Sequence, residues 1–275
     1  MKENMRLSDK GDYIMFDFHM HSTVSFDGID CARDMAEAAA KNGLREICFT
    51  DHLDYNTDPL TPQNLFTMEA YAKAYDGLEI PGLTIRRGVE FGLTEWNREQ
   101  MAEFLSRRPF DFVIGSVHYI DGDDPYDAEY WQGKTVSEAF SRYLETTLRC
   151  VRAHRDFDVL GHLTYVCKSA HNPTHEPVLY SDYSDIADEI MRTLAENGKG
   201  MEINTSGVDK AGVFLPSADF LRRFKELGGE IVTVGSDAHD ICRVGQYTEE
   251  ALGMLKDIFG YVCTFESRKP IFHKL

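Results

Sequence analysis

Seven short apolar runs alternate with segments of helical periodicity along this chain, at residues 14–19, 46–50, 84–90, 112–117, 157–161, 201–204 and 230–234. Strands separated by helices form a parallel sheet, and nearly continuous apolar runs mark strands buried on both faces. Each run closes on, or is followed within three residues by, His, Asp, Glu or Asn. An open doubly wound sheet gathers its site at one crevice, so remote strands need not contribute. A closed barrel brings every strand end to one mouth. Seven contributing ends therefore predict an α/β barrel, for which 275 residues is an ordinary length. No linker or composition break interrupts the pattern, so residues 1–275 read as a single domain preceded by a polar N-terminal arm at 1–12.

The helical segments are expected at 65–75, 95–107, 136–154, 184–196, 217–227 and 248–258, with a first one opened by Asp30 as N-cap and stopped at Asn42-Gly43. Residues 55–62 and the His- and Pro-rich 168–180 read as loops, and the acidic, aromatic stretch 121–131 as a lid or substrate loop. A short strand-like tail follows the last helix. The formal net charge of −17 argues against a nucleic-acid or membrane surface. An anionic small substrate fits only where divalent cations reverse the local sign. The six Cys (31, 48, 150, 167, 242 and 263) form no C-x-x-C pair and read as structural. With no secretory or membrane-spanning apolar run, the cytoplasm and reduced thiols are expected.

The strand ends supply His19 and His21, Asp51 and His52, Glu90, His118, His162, Glu202 and Asn204, and Asp237 and His239, with Asp27 in the loop after the first pair. Six of the ten His stand at these positions, while His154, His171, His175 and His273 lie outside them. Residues i and i+2 of a strand share a face, so His19 and His21 make a ready pair of ligands. Singly, each residue has a bland reading as a cap, a satisfied core histidine or a solvated acid. Jointly, they would need seven separate reasons. Mixed imidazole and carboxylate donors suit Zn²⁺, Mn²⁺ or Fe²⁺ rather than an all-oxygen Ca²⁺ or Mg²⁺ cage, and they outnumber the needs of one ion. Neither a P-loop nor a G-x-S-x-G elbow is present.

His19-Met20-His21, Asp27-Gly28, Thr50-Asp51-His52, Gly88-Val89-Glu90, Gly115-Ser116-Val117-His118, Gly161-His162 and Gly235-Ser236-Asp237-Ala238-His239 resemble, in order and spacing from about residue 16 to 245, the motifs of the polymerase-and-histidinol-phosphatase (PHP) family. Glu202-Ile203-Asn204-Thr205-Ser206-Gly207 resembles a segment of its histidinol-phosphatase branch. The resemblance implies a distorted seven-stranded (β/α)7 TIM-like barrel with two or three divalent metal ions (Zn, Mn or Fe). His19, His21, Glu90 and Asp237 would hold one, Glu90, His118 and His162 a second, and Asp27, His52 and His239 a third. Catalysis would rest on Glu90 as the bridge and on Asp237 and His239. Where relatives show arginines, this chain has Val166-Cys167-Lys168 and Val208-Asp209-Lys210. Arg243, then Lys168 and Lys210, are the expected phosphate-binding cations, and Asp54 or Asp209 the acids favouring a cationic substrate.

The implied activity is that of a metal-dependent phosphomonoesterase, with histidinol phosphate as substrate in histidine biosynthesis. Its partner is thus a small phosphorylated molecule. The alternatives are a PHP phosphoesterase for another small phosphate, such as a nucleotide or sugar phosphate, and a non-catalytic metal-binding interaction module. An amidohydrolase-type barrel also begins H-x-H, but it needs a ligating Lys that no strand end here offers.

Overall fold

In the computed structural model, which describes residues 15–55 and 64–275, the apolar runs pair in chain order as one parallel sheet. The strands are β1 (Met15–Met20), β2 (Leu44–Phe49), β3 (Thr84–Gly92), β4 (Phe112–Ser116), β5 (Val159–Leu160), β6 (Gly200–Asn204) and β7 (Val232–Gly235). The polar arm at 1–12, residue 14 and most of the 55–62 loop lie outside the described residues. Past Phe49 the second strand breaks, then resumes as His52–Leu53 against Glu90 and Phe91 of β3. That break is one source of distortion.

The other is the seam. β7 and β1 meet beyond the β7 strand end, where the Asp237 N–H donates to the His19 carbonyl (2.8 Å) and the His21 N–H to the Ala238 carbonyl (2.8 Å). A seven-stranded parallel barrel is thereby nearly closed. Buried Asp17 ties the seam from below, accepting from the Ser236 N–H (2.8 Å), the Ser236 hydroxyl (2.5 Å) and the Gly245 N–H (3.0 Å). Burial pushes its carboxyl up to about 6 in spite of these donors.

Outside the barrel run α1 (Ala32–Lys41), α2 (Met68–Tyr75), α3 (Arg98–Ser106), α4 (Val136–Ala153), α5 (Ser184–Glu196), α6 (Ala218–Glu226) and α7 (Thr248–Ile258). Each turns an apolar stripe inward, as α1 does with Met35, Ala36 and Ala39. Asp30 does not cap α1. The N-cap is Cys31, with no side-chain hydrogen bond, and the Asp30 carboxylate instead accepts from the Ile241 N–H (2.9 Å), joining the loops after β1 and β7. Among the described helices, none is long and apolar enough to cross a membrane. The six cysteines are free; Cys31 and Cys242 are exposed and the others buried.

The tail is a full antiparallel hairpin, β8 (Tyr261–Glu266) and β9 (Lys269–Lys274), which closes the barrel floor. Phe265 meets Phe112 at 4.8 Å and His273 meets Phe16 at 4.6 Å, both between ring centroids. At its turn, Arg268 pairs with Asp158 (2.5 Å). With the floor filled, polar groups can converge only at the other end.

Gly235 sits on the seam, where an added Cβ would lie 2.2 Å from His19 Cβ and 2.4 Å from Glu202 Oε1. Gly235→Ala should therefore destabilise the fold by about 1–3 kcal/mol, as overpacking does. Urea unfolding measures it, and an unchanged midpoint would contradict the seam geometry.

Candidate metal centre

At the C-terminal mouth, three groups of donors face inward. In the first, His19 Nε2 and His21 Nε2 are 3.1 Å apart, with Glu90 Oε2 3.2 Å and Asp237 Oδ1 3.5 Å from His19 Nε2. In the second, Glu90 Oε1 lies 2.9 Å from His162 Nε2 and 3.2 Å from His118 Nε2, and these two nitrogens are 3.5 Å apart. In the third, Asp27 Oδ2 lies 3.1 Å from His239 Nε2 and 3.6 Å from His52 Nε2, which are 3.4 Å from each other. Two donors bound to one ion at ~2.0–2.2 Å must themselves be about 3.0–3.5 Å apart. These separations fit that requirement. All nine expected ligands thus come together from six strand ends and one loop.

Ring orientation makes the fit sharper. His19 Nδ1 donates to Glu202 Oε1 (2.6 Å), His118 Nδ1 to Asp54 Oδ1 (2.8 Å) and His239 Nδ1 to the Asp237 carbonyl (2.9 Å). For His21 the acceptor is Ser25 Oγ (3.1 Å), whose own proton goes to Asp51 Oδ1 (3.1 Å). With Nδ1 protonated, each Nε2 presents a lone pair to another Nε2, which only a cation or an extra proton can reconcile. The buried Glu90 Oε2 atom has no hydrogen-bond partner.

The electrostatics of the protein alone point the same way. Against the effect of burial, Glu202, Glu90 and Asp237 hold His19 well above the usual histidine range. Asp54 and Glu90 do the same for His118. Burial, with His239 and His52 beside it, pushes His21 well below that range. Although burial opposes it, Glu90 is held well below the usual carboxylate range by His19, His52 and His118. Divalent ions would displace the protons and take over their role.

Local backbone sets these positions. Asp51 is no ligand here. It accepts from the Ser22 N–H (2.8 Å), the Ser25 N–H (3.2 Å) and the Tyr75 hydroxyl, folding the loop that carries Asp27 inward. Gly28 allows that fold, because a Cβ would come 1.8 Å from the Ser22 carbonyl oxygen. Asp237 has φ 56°, so the segment to His239 is kinked rather than extended, and the kink directs the two side chains to different groups. Such a conformation costs of order 1–3 kcal/mol, offset by the seam hydrogen bonds.

Above the cluster lies a cavity of about 500 Å³ lined by Phe26, Asp124, Tyr126, Tyr165, Lys168 and Arg243, among others. Of the expected cations, Lys168 reaches the cluster. Its Nζ is buried 2.8 Å from Asp237 Oδ2 and 2.9 Å from Ser206 Oγ, and Asp237 keeps it raised above the usual lysine range against burial. Arg243 stands at the rim, paired with Asp209 (3.1 Å), and Lys210 lines the same rim. Asp54 is committed to His118, and Asp209 also accepts from Tyr247 (2.8 Å). His171 and His175 are exposed, and His154 is a core histidine whose Nε2 donates to the Thr94 carbonyl (2.7 Å).

Four likenesses bear on this site. The PHP domain family model matches residues 17–206. A histidinol-phosphatase of Lactococcus lactis subsp. lactis is 31% identical over 259 residues, covering 92% of this chain and 95% of that protein. A probable histidinol-phosphatase of Clostridium acetobutylicum is also 31% identical, covering 94% and 96%. Among solved structures, histidinol phosphate phosphatase from L. lactis, complexed with zinc, L-histidinol and phosphate, superposes with a TM-score of 0.84 at 30% identity, covering 94% of this chain and 99% of that one.

Glu202, like Asp51 and Asn204, has no part assigned by the strand-end pattern. One oxygen accepts from His19 Nδ1 (2.6 Å) and the other from the His162 N–H (2.9 Å). A glutamine has one acceptor oxygen, so Glu202→Gln strands one donor. Metal affinity should fall by about 10–100-fold, read as metal retained after dialysis against graded chelator. Unchanged retention would reduce Glu202 to a packing residue.

Proposed function

The chain belongs to the PHP domain family, and from that premise we propose that it is a metal-dependent phosphomonoesterase hydrolysing L-histidinol phosphate to L-histidinol and phosphate. The reading is carried by the convergence of Nε2 lone pairs and carboxylates on three centres at the mouth. Its substrate is supported by the 30% identity, over nearly all of both chains, to a protein solved with zinc, L-histidinol and phosphate. Histidine biosynthesis is the corresponding setting, and the cytoplasm, with thiols reduced, its compartment.

In this reading His19, His21, Glu90 and Asp237 hold one ion, Glu90, His118 and His162 a second, and Asp27, His52 and His239 a third. Such ions, of Zn²⁺, Mn²⁺ or Fe²⁺ type, lower the pKa of water towards about 7 and neutralise phosphate oxygens. The protein's part is positional. Glu90 gives one oxygen to each of two centres and so fixes their spacing. Lys168, between Asp237 and Ser206, donates to a phosphate oxygen on the cavity floor. Arg243 and Lys210 at the rim draw the dianion inward. His239 and Asp237 serve as ligands, since the His239 Nδ1 proton is already given to the Asp237 carbonyl.

A panel of small phosphomonoesters, assayed for released phosphate, tests the substrate. L-Histidinol phosphate should show the highest kcat/KM, and prolonged chelation should abolish turnover until Mn²⁺, Zn²⁺ or Fe²⁺ is returned. A nucleotide or sugar phosphate turned over faster would move the assignment to that substrate, and full activity in metal-free protein would end it.

Two substitutions separate the centres. Glu90→Gln keeps size and loses charge, so metal content should fall and kcat drop by more than ~10²-fold. Asp27→Ala should lose about one metal equivalent while two remain, because its carboxylate belongs to the third group alone and is partly exposed. Two equivalents in both wild type and Asp27→Ala would make the site binuclear, and three in both would remove Asp27 from the third centre.

A further inference from the structure

The wall of the cavity formed by residues 121–131 is strongly acidic, yet its carboxylates are not equivalent. Asp123 pairs with Arg142 (2.7 Å), and Asp121 pairs with both Arg142 (3.3 Å) and Arg149. Asp124 makes no ion pair among the described residues. It accepts from the Tyr126 N–H (2.8 Å), lines the cavity, and is partly buried. That burial raises its carboxyl above the usual range. The other acids lining the cavity are accounted for, Asp54 by His118, Asp27 by His239 and His52, and Asp237 by Lys168, while Asp209 beside the rim pairs with Arg243 and Tyr247.

Beside Asp124 an aromatic face leads down to the donors. The Tyr126 and Tyr165 rings are 5.3 Å apart, and Tyr165 lies 4.8 Å from His162 and 5.4 Å from His118. This wall is held in place. The Pro125 carbonyl accepts from Trp131 Nε1 (2.8 Å) and Ser169 Oγ (2.6 Å), and Arg142 also donates to the Ile120 carbonyl (3.2 Å). A half-buried carboxylate without a cation, next to aromatic faces, is a site for an ammonium group.

We infer that Asp124, flanked by Tyr126 and Tyr165, is the specificity-determining residue that binds the ammonium end of an amino-alcohol phosphate while its phosphate lies at the cavity floor. The inference rests on the substrate reading above. Asp124 acts on binding, because it does not touch the donor groups around the reacting phosphorus.

The test compares metal-loaded wild type with Asp124→Asn on L-histidinol phosphate and on the same molecule lacking its amino group. Asparagine keeps the acceptor for the Tyr126 N–H and so the loop. Wild type should favour the amine, and Asp124→Asn should shrink that preference, as the ratio of the two kcat/KM values, by about tenfold to a hundredfold, chiefly through KM. If wild type discriminates and Asp124→Asn leaves the ratio unchanged, or lowers both substrates alike, the inference falls and the substrate reading stands. If wild type itself does not favour L-histidinol phosphate over the des-amino compound or over generic phosphomonoesters, the substrate reading falls and takes this inference with it.

Discussion

Five imidazoles lie within 3.6 Å of the two oxygens of Glu90, a carboxylate with no exposed surface. A buried carboxylate needs hydrogen-bond donors, as Asp17 and Asp51 have, or positive charge around it. Imidazoles supply that charge only as protonated rings, and protonated rings this close repel each other. The two demands conflict in the protein alone and are both met by multivalent cations. Strand ends, loop and rim are arranged around this conflict, and the barrel is the scaffold that imposes it.

What holds the arrangement is a second ring of acceptors. Glu202, Asp54, Ser25 and the Asp237 carbonyl each take an Nδ1 proton and thereby aim an Nε2 inward. Asp51 acts one step further out, taking the Ser25 proton so that Ser25 can accept from His21. The same residues hold the backbone, since Asp51 folds the first loop and Glu202 caps the His162 N–H. Ligand geometry and barrel closure are therefore one network, which is why the seam runs between His19 and Asp237.

Most of the fold could be read from the chain because it depends on periodicity and punctuation. The helices Ser184–Glu196 and Thr248–Ile258 coincide with their apolar repeats, and Asn42-Gly43 ends α1 where expected. The donors at the mouth were legible because they sit at the ends of such runs. Three things were not. The hairpin that plugs the floor looks like an ordinary tail, since its partner surfaces, Phe112 and Phe16, are distant in sequence. Asp30 has the composition of a cap, but a loop more than two hundred residues away competes for it. Asp54 and Arg243 could not be placed from the chain because pairing, which sequence does not display, decides whether a charged group is available.

The fastening of the 121–131 wall bears on how the molecule meets its solvent. Enzymes that transfer a group to an acceptor other than water often close a moving cover to keep water out. Here the stretch placed to serve as such a cover is bolted by Arg142, Arg149 and the Pro125 carbonyl to the body of the barrel. For a hydrolase the solvent is a reactant, so an aperture tethered open in this way admits it without a closing step. Such an entrance sorts molecules by fit at the threshold, and departing product meets no shutter on this side.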